Sequence, residues 1–208
     1  MREMNRSKKD CFEMQKNPTI ILIGPMCAGK STIAKMLAER LGIERFELDS
    51  LRDGYYDEIG YDRELASQIA NGEEGMMGLI KYWKPFEAYA VERALSEYEN
   101  CVLDFGAGHS VYEEEELFTR VQTALAPFDH VILLLPSPDL DESVEILNTR
   151  FSQLLEREVG KVDARLLDLN AHFVKHPSNR NLAKITIYTD GKSPQETCDE
   201  ILEKIKGG

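Results

Sequence analysis

The 208-residue sequence lacks a long hydrophobic run, a dense cysteine pattern and an excess of basic residues. Its clearest apolar stretch, Val131–Leu135, is far shorter than the roughly 20 residues that a membrane-spanning helix needs. The first 18 residues contain no apolar segment of the secretory signal type. The four cysteines, Cys11, Cys27, Cys101 and Cys198, show no CxxC spacing. We therefore expect a cytoplasmic protein with reduced thiols and no membrane association.

Acidic residues outnumber basic ones, 37 against 25, which gives a formal net charge of −12. A chain of this charge is not a general nucleic-acid binder, because phosphate backbones require clustered positive charge. Hydrophobic residues make up 42% and charged residues 30%, as in ordinary globular proteins. We predict an N-terminal tail at 1–18 and a single domain at 19–208, acting as a monomer or homodimer on a small molecule.

Short apolar strands alternate with helical patterns along the rest of the chain. Strands are predicted at Thr19–Ile23, Arg45–Leu48, Cys101–Leu103, Val131–Leu135 and Ile185–Thr189. Helices are predicted from Lys30 to Gly42, over Asp62–Ala70, from Pro85 to about Tyr98, from a Ser110–Glu113 capping box to about Ala126, over Asp139–Leu155, and after the Ser193–Glu196 cap. This order predicts an α/β fold, a three-layer α/β/α arrangement with a parallel five-stranded sheet that binds ligands beyond the carboxyl ends of its strands.

The segment Gly24–Ser31 matches the phosphate-loop pattern G-x-x-x-x-G-K-[ST], and it lies between a predicted strand and a predicted helix. Its backbone amides are expected to surround phosphate oxygens, with Lys30 on the β- and γ-phosphates and the Ser31 hydroxyl on Mg²⁺. The pattern predicts a P-loop nucleoside triphosphate hydrolase fold that uses ATP and Mg²⁺. The expected nucleotide contacts are Gly24, Pro25, Met26, Cys27, Ala28, Gly29, Lys30, Ser31 and Thr32.

Two carboxylates follow predicted strands. Asp104 comes directly after Cys101–Leu103, where an acid can hold Mg²⁺, although a turn or helix-capping aspartate is the alternative. Asp49 closes the second strand and can accept the proton of an attacking hydroxyl, unless it only caps the next helix. The glycines of Gly106-Ala107-Gly108 allow close approach of a ligand, or else form a plain turn.

The four histidines have no metal-ligand spacing and are predicted to lie in loops or on the surface. They are His109, His130, His172 and His176.

Together these motifs resemble the shikimate kinase family of small-molecule kinases, from about Thr19 to Ile205. The family's acid-x-acid segment is similar to Glu47-Leu48-Asp49, which implies that Asp49 contacts substrate and acts as the base and that Glu47 lies near the metal. The family's Phe-Arg-x-x-Glu helix is similar to Trp83–Glu87, with Lys84 in place of arginine. Its triple-glycine turn is matched by Gly106-Ala107-Gly108, which implies substrate contacts there.

The resemblance also implies roles for residues in the second half of the chain. Arg150 would lie at the nucleotide and Arg157, seven residues on, would reach the transferred phosphoryl group from a lid at about 151–175, with Gly160 as its hinge. Arg165 is the alternative lid cation, and an ordinary packed helix pair is the alternative to a lid. Lys175 would be the last substrate-binding cation.

The expected activity is transfer of the γ-phosphoryl group of ATP to a hydroxyl of a small metabolite. Arginine holds a carboxylate with a rigid two-pronged fork, whereas Lys84 and Lys175 offer point charges, so the acceptor stays open. A nucleoside, nucleotide or antibiotic kinase is the alternative within this class. A nucleotide-binding regulatory module without phosphotransfer is the alternative outside it.

Overall fold

The computed structural model of the protein describes residues 18–207, so nearly all of the expected N-terminal tail, including Cys11, lies outside the described residues. One parallel sheet forms the centre of the fold, in the order β2-β3-β1-β4-β5. Its strands are β1 (Ile20–Ile23), β2 (Glu44–Glu47), β3 (Cys101–Asp104), β4 (His130–Leu135) and β5 (Ile185–Tyr188). The predicted five-stranded parallel sheet is therefore confirmed.

Helices cover both sides of this sheet. They are α1 (Lys30–Leu41), α2 (Leu48–Glu58), α3 (Arg63–Ala70), α4 (Gly75–Glu97), α5 (Glu115–Leu125), α6 (Leu140–Val159), α7 (Ala164–Lys175), α8 (Pro177–Leu182) and α9 (Pro194–Gly207), with a short 3-10 turn at Ala107–Ser110. None of the helices in this part of the chain has both the length and the apolar composition needed to cross a bilayer.

The core lies where the sequence is most apolar. Every side chain of β1 is fully buried, and β4 is buried from Val131 onward, because helices cover both faces of the central strands. Helix α1 turns Ile33, Ala34 and Leu37 toward this core and ends at Gly42, whose φ of 64° is left-handed. The carboxyl end of β1 is thereby fixed directly against the start of α1.

Helix α4 is longer than predicted, because it begins at Gly75 and contains Pro85 in its interior rather than in its first turn. Proline removes one backbone donor from a helix, so the extension needs tertiary support. That support comes from Leu79, Ile80 and Lys84, which are buried, and from packing against α2, α3 and α5. The prediction was wrong because proline was interpreted as a start signal without regard to this packing.

The predicted capping box at Ser110 and Glu113 was also wrong. Ser110 is buried and its hydroxyl donates to Asn179 Oδ1 at 2.7 Å, while α5 begins two residues after Glu113. The cap predicted for the last helix is confirmed: Glu196 N–H donates to the Ser193 hydroxyl oxygen at 3.2 Å, and Ser193 N–H donates to the Glu196 carboxylate at 2.7 Å.

The segment 151–175 is a helix pair, formed by the end of α6 and by α7, with Gly160 as the left-handed residue that ends α6. Asn148 on α6 donates to the Leu167 carbonyl at 3.2 Å, and α7 buries Leu169, Phe173 and Val174. This is the geometry of the alternative, a packed helix pair. Closure of the segment as a lid stays a prediction.

Candidate active site

The loop between β1 and α1 has a backbone that its sequence requires. Gly24 has a φ of 137°, and a Cβ there would lie 2.7 Å from the Leu134 carbonyl oxygen on β4, so only glycine fits. Gly29 precedes α1 with a φ of 91°, and Cys27 also adopts a left-handed φ of 61°. The amino terminus of α1, with its unpaired N–H groups and positive dipole end, therefore faces the space enclosed by the loop.

Lys30 lies inside this loop and is only 8% exposed. Its ammonium donates to the carbonyl oxygens of Gly24 and Pro25, both at 2.9 Å. Burial lowers the pKa of Lys30, and the charges of Asp104 and Asp49 oppose that shift. A buried ammonium held by neutral carbonyls is only partly compensated, so an anion in the loop would complete its charge balance.

Asp104 ends β3 and is paired in register with Leu22 of β1 and with Glu47 of β2. The carboxyl is 5% exposed; burial raises its pKa, whereas the Ser31 hydroxyl, Lys30 and Arg45 act to lower it. Arg45 lies 3.9 Å from Asp104 and pairs more closely with Glu47. The Ser31 hydroxyl and the two carboxylates form an oxygen-only donor set, which suits Mg²⁺.

Asp49 lies in the first turn of α2, since β2 ends at Glu47, two residues before it. Its carboxylate is directly against the backbone of Gly106: a Cβ on Gly106 would lie 2.2 Å from Asp49 Oδ1. Arg52 on the next turn of α2 lies 3.8 Å from the same oxygen. The alternative interpretation of Asp49 as a helix cap is wrong, because α2 has Glu47 at its N-cap and no side-chain capping bond.

These segments enclose a cavity of about 280 Å³ at the carboxyl edge of the sheet. Its lining comprises Met26, Cys27, Lys30, Ser31, Glu47, Asp49, Asp104, Phe105, Gly106, Ala107, Phe151 and Leu154. Nine of these twelve belong to the predicted site residues, brought together from the phosphate loop, the β2–α2 junction and the turn after β3. Three carboxylates and one ammonium line this cavity, and the guanidiniums of Arg45 and Arg52 lie beside the carboxylates.

A second cavity of about 230 Å³ lies on the other side of the phosphate loop. It brings the predicted Ala28, Gly29, Thr32 and Arg150 together with residues that follow β5, namely Thr189, Lys192, Pro194 and Thr197. The latter were missed, although their position directly after a parallel strand was a usable signal. Burial raises the pKa of the nearby Cys27 thiol, against the opposing charges of Lys30 and Arg150, so this thiol is not activated.

The two lysines predicted to bind substrate do not line either cavity. Lys84 is 4% exposed and donates to Glu87 at 2.7 Å and to the Gly108 carbonyl at 3.0 Å. Lys175 pairs with Asp141 at 2.6 Å on the surface. Gly108 likewise faces Glu87 rather than the cavity. Substrate contact by these three residues stays a prediction.

The two candidate lid arginines are exposed at the outer end of the α6–α7 pair. Arg157 donates to Glu158 at 3.1 Å and Arg165 donates to Asp163 at 2.7 Å. The body of α7 does reach the phosphate loop, since Met26 N–H donates to Asn170 Oδ1 at 3.0 Å. The arginines' contact with a phosphoryl group stays a prediction.

His109 was expected in a loop or on the surface, but it is 1% exposed, and neither ring nitrogen has a hydrogen-bond partner among residues 18–207. Its Nδ1 lies 3.8 Å from Asp49 Oδ1. Burial lowers the pKa of this imidazole, although Glu87 and Asp49 act in the opposite direction, so the ring is neutral in a neutral solution. Arg52, whose guanidinium lies 5.2 Å from the centre of the Trp83 ring, was also missed. Its spacing of three residues from Asp49 was a usable signal.

No family model matches the chain. Curated relatives are similar over almost its whole length. The shikimate kinase of Marinomonas sp. (strain MWYL1) is 29% identical over 194 residues, covering 93% of this chain and 94% of that protein. The shikimate kinase of Streptomyces coelicolor is 29% identical over 190 residues, covering 91% and 96%. The expected resemblance to shikimate kinases is confirmed.

Solved structures show the same fold. A shikimate kinase from Acinetobacter baumannii, in complex with shikimate, superposes with a TM-score of 0.63 at 23% identity, over 93% of this chain and 96% of that chain. A gluconokinase from Sinorhizobium meliloti superposes with a TM-score of 0.53 at 14% identity, over 92% and 93%. The predicted P-loop fold is confirmed.

Proposed function

We propose that the protein is an ATP-dependent kinase that transfers the γ-phosphoryl group to a hydroxyl of a small metabolite. One observation carries the proposal: a phosphate loop, a buried carboxylate and a second, solvent-facing carboxylate surround a single cavity of about 280 Å³. Phosphoryl transfer depends mainly on positioning and on neutralising charge, and this arrangement provides groups for both. Relatives named shikimate kinase, similar over more than nine-tenths of the chain, support the same activity.

Each part of the cavity has a distinct role in this proposal. The loop amides and Lys30 bind the β- and γ-phosphates, and the pocket beside Arg150, Thr189 and Lys192 takes the nucleoside. Ser31 and Asp104, with Glu47 alongside, hold Mg²⁺, which supplies charge neutralisation for the phosphates when bound. Asp49 orients the acceptor hydroxyl and receives its proton.

The acceptor that we propose is a small hydroxy acid, with shikimate as the first compound to test. The cavity is at the small end of ligand sites, so it suits a single-ring or short-chain metabolite better than a nucleoside. The guanidinium of Arg52, beside Asp49 and over Trp83, is a cation placed to meet an acidic group. Lys84 already has a carboxylate partner in Glu87, so it can bind the acid group of a substrate only if it leaves Glu87.

Acceptor-dependent ADP release tests the proposal. The chain is assayed with ATP and Mg²⁺ against separate pools of hydroxy acids, sugars, nucleosides and aminoglycosides, with Lys30→Ala as the inactive reference. Lys35→Ala, an exposed lysine on the same helix, is the matched control. We expect ADP release with the hydroxy acids that is lost only in Lys30→Ala. Tight ATP binding without acceptor-dependent release in any pool would favour the regulatory module instead.

A further inference from the structure

Glu113, His172 and His176 form a cluster that the phosphotransfer site does not use. One potential ligand atom from each side chain lies within 4.8 Å of the others. His172 Nε2 is 2.9 Å from Glu113 Oε1, and the two imidazole ring centres are 5.1 Å apart. Two imidazoles and a carboxylate are the donor set of many zinc centres, which keep the fourth position for water.

The chain is built to bring these side chains together. His172 lies on α7 and His176 follows its last residue, four positions on, so both face the same side of the helix. Pro177 opens α8 and ends α7 at this point. Glu113 comes from the loop between the 3-10 turn and α5, far away in sequence. The spacing of four residues between His172 and His176 was visible in the sequence, so the expectation of no metal-ligand spacing was wrong. The approach of Glu113 to these histidines depends on the fold and could not be predicted from the sequence.

We propose that Glu113, His172 and His176 bind one divalent transition-metal ion of the zinc class and thereby fasten α7 to the loop that follows the 3-10 turn. Tetrahedral zinc with bonds of about 2.1 Å places its ligand atoms about 3.4 Å apart. Side-chain rotation therefore has to shorten the separations between the ligand atoms, which are at most 4.8 Å, by about 1.4 Å or less. Imidazole ligands select such ions over Mg²⁺, which prefers oxygen.

The surroundings allow an ion to enter. His172 and Glu113 expose 41% and 53% of their side chains, so the ion reaches them directly from water. The charge of Lys84 acts on Glu113 and His176, but this ammonium is held by Glu87 at 2.7 Å.

Binding replaces two existing contacts. The ion displaces the hydrogen bond between His172 and Glu113. It also displaces the hydrogen bond at 3.2 Å in which His176 Nδ1 accepts from Ser178 N–H. An ion on Nδ1 takes the place of this donor, whereas an ion on Nε2 leaves the ring proton on Nδ1, which then no longer accepts. Both contacts are partly exposed and individually weak, so three metal bonds exceed what is lost.

Titration of the full chain, without a polyhistidine tag and after chelator treatment, tests the proposal. Zn²⁺ binding is measured by calorimetry with excess Mg²⁺ present, so that the oxygen site beside the phosphate loop is saturated. Co²⁺ is used as the coloured probe. We expect one equivalent of Zn²⁺, a visible cobalt spectrum without thiolate bands, and a thermal midpoint that rises with Zn²⁺.

Three variants remove one ligand each: Glu113→Gln, His172→Ala and His176→Asn. Asparagine is a good N-cap residue, so the last variant keeps the cap of α8. Each should weaken Zn²⁺ binding at least about tenfold, the smallest effect expected even for an outer partner of a metal site. His130→Ala, at the start of β4, is the control and should bind normally. No stoichiometric binding by the parent chain, or equal binding by all three folded variants, would overturn the site.

Discussion

Replacing Gly106 by alanine should disable the proposed base, Asp49, by displacing its carboxylate, although no charged group is itself substituted. The new Cβ would lie 2.2 Å from Asp49 Oδ1, which is inside any allowed contact, so the carboxylate must move. Gly106 has a φ of −62°, which alanine adopts without strain. The side chain of Asp49 is 60% exposed and can swing into water. The substitution therefore moves Asp49 and leaves the fold in place.

The expected magnitudes differ between activity and stability. A positioned general base contributes about 10²–10⁴ in rate, so a displaced Asp49 should lower kcat by a factor of that order. The free energy of unfolding should change by less than about 1 kcal/mol, because the displaced carboxylate is exposed and alanine restricts the unfolded chain. For a domain of this size that corresponds to roughly 2–4 °C in thermal midpoint.

Steady-state kinetics of a double-mutant cycle identify the route of the effect. Gly106→Ala, Asp49→Asn and the double variant are assayed for kcat with the best acceptor. If Gly106→Ala acts through Asp49, the double variant should be no slower than Asp49→Asn. Multiplication of the two effects, or a Gly106→Ala variant with parental kcat, would refute the reasoning.

Gly108→Ala is the matched glycine variant. Its Cβ would meet Glu87 Oε1 at 2.2 Å, but Glu87 is only 5% exposed and is paired with Lys84, so it has no free route into water. Disturbing this buried pair should lower the thermal midpoint by roughly 6–12 °C, equivalent to about 3 kcal/mol. Gly106→Ala should therefore lower kcat with little loss of stability, whereas Gly108→Ala should lower stability.

Further substitutions test the individual charges. Lys30→Ala should reduce turnover by at least about a hundredfold, the scale of losing one charge-stabilising group, with the thermal midpoint nearly unchanged, whereas Lys35→Ala should match the parent in the same assay. Lys84→Ala leaves Glu87 buried and unpaired, so urea unfolding should show a loss of about 3–5 kcal/mol. Asp104→Asn should raise the thermal midpoint of the nucleotide-free protein near pH 7. The pKa of Asp104 is raised in the folded protein, so its ionised form lowers the stability of the fold above that pKa. The gain in thermal midpoint should therefore shrink as the pH falls toward the usual aspartate range.

The sequence was most informative where a structure depends on neighbours along the chain. The phosphate loop needs a buried strand, glycines and a helix start in direct succession, and all three are visible in residues 19–41. Apolar runs likewise indicated four of the five strands, all except the charged β2, and the Ser193–Glu196 cap was local enough to be correct.

The remaining features depend on contacts between distant segments. Three contacts show this: Lys84 is buried against the Gly108 carbonyl, Asp49 lies against Gly106, and Lys175 pairs with Asp141. The length of α4 was missed for the same reason, because tertiary packing compensates for its internal proline. A motif therefore predicted the phosphate end of the site, and the family resemblance indicated Asp49, Gly106 and Ala107 beside it. The partners of Lys84 and Lys175 required the fold.

Mass spectrometry of the acceptor after reaction tests the central claim most directly. The parent chain is incubated with ATP, Mg²⁺ and the hydroxy acid that gives the fastest ADP release, and ADP and phosphorylated acceptor are quantified together. The account predicts one phosphorylated acceptor for each ADP, with both products lost in Lys30→Ala and both greatly reduced in Asp49→Asn. ADP formed with free phosphate and unmodified acceptor, or unchanged transfer by Asp49→Asn, would contradict it.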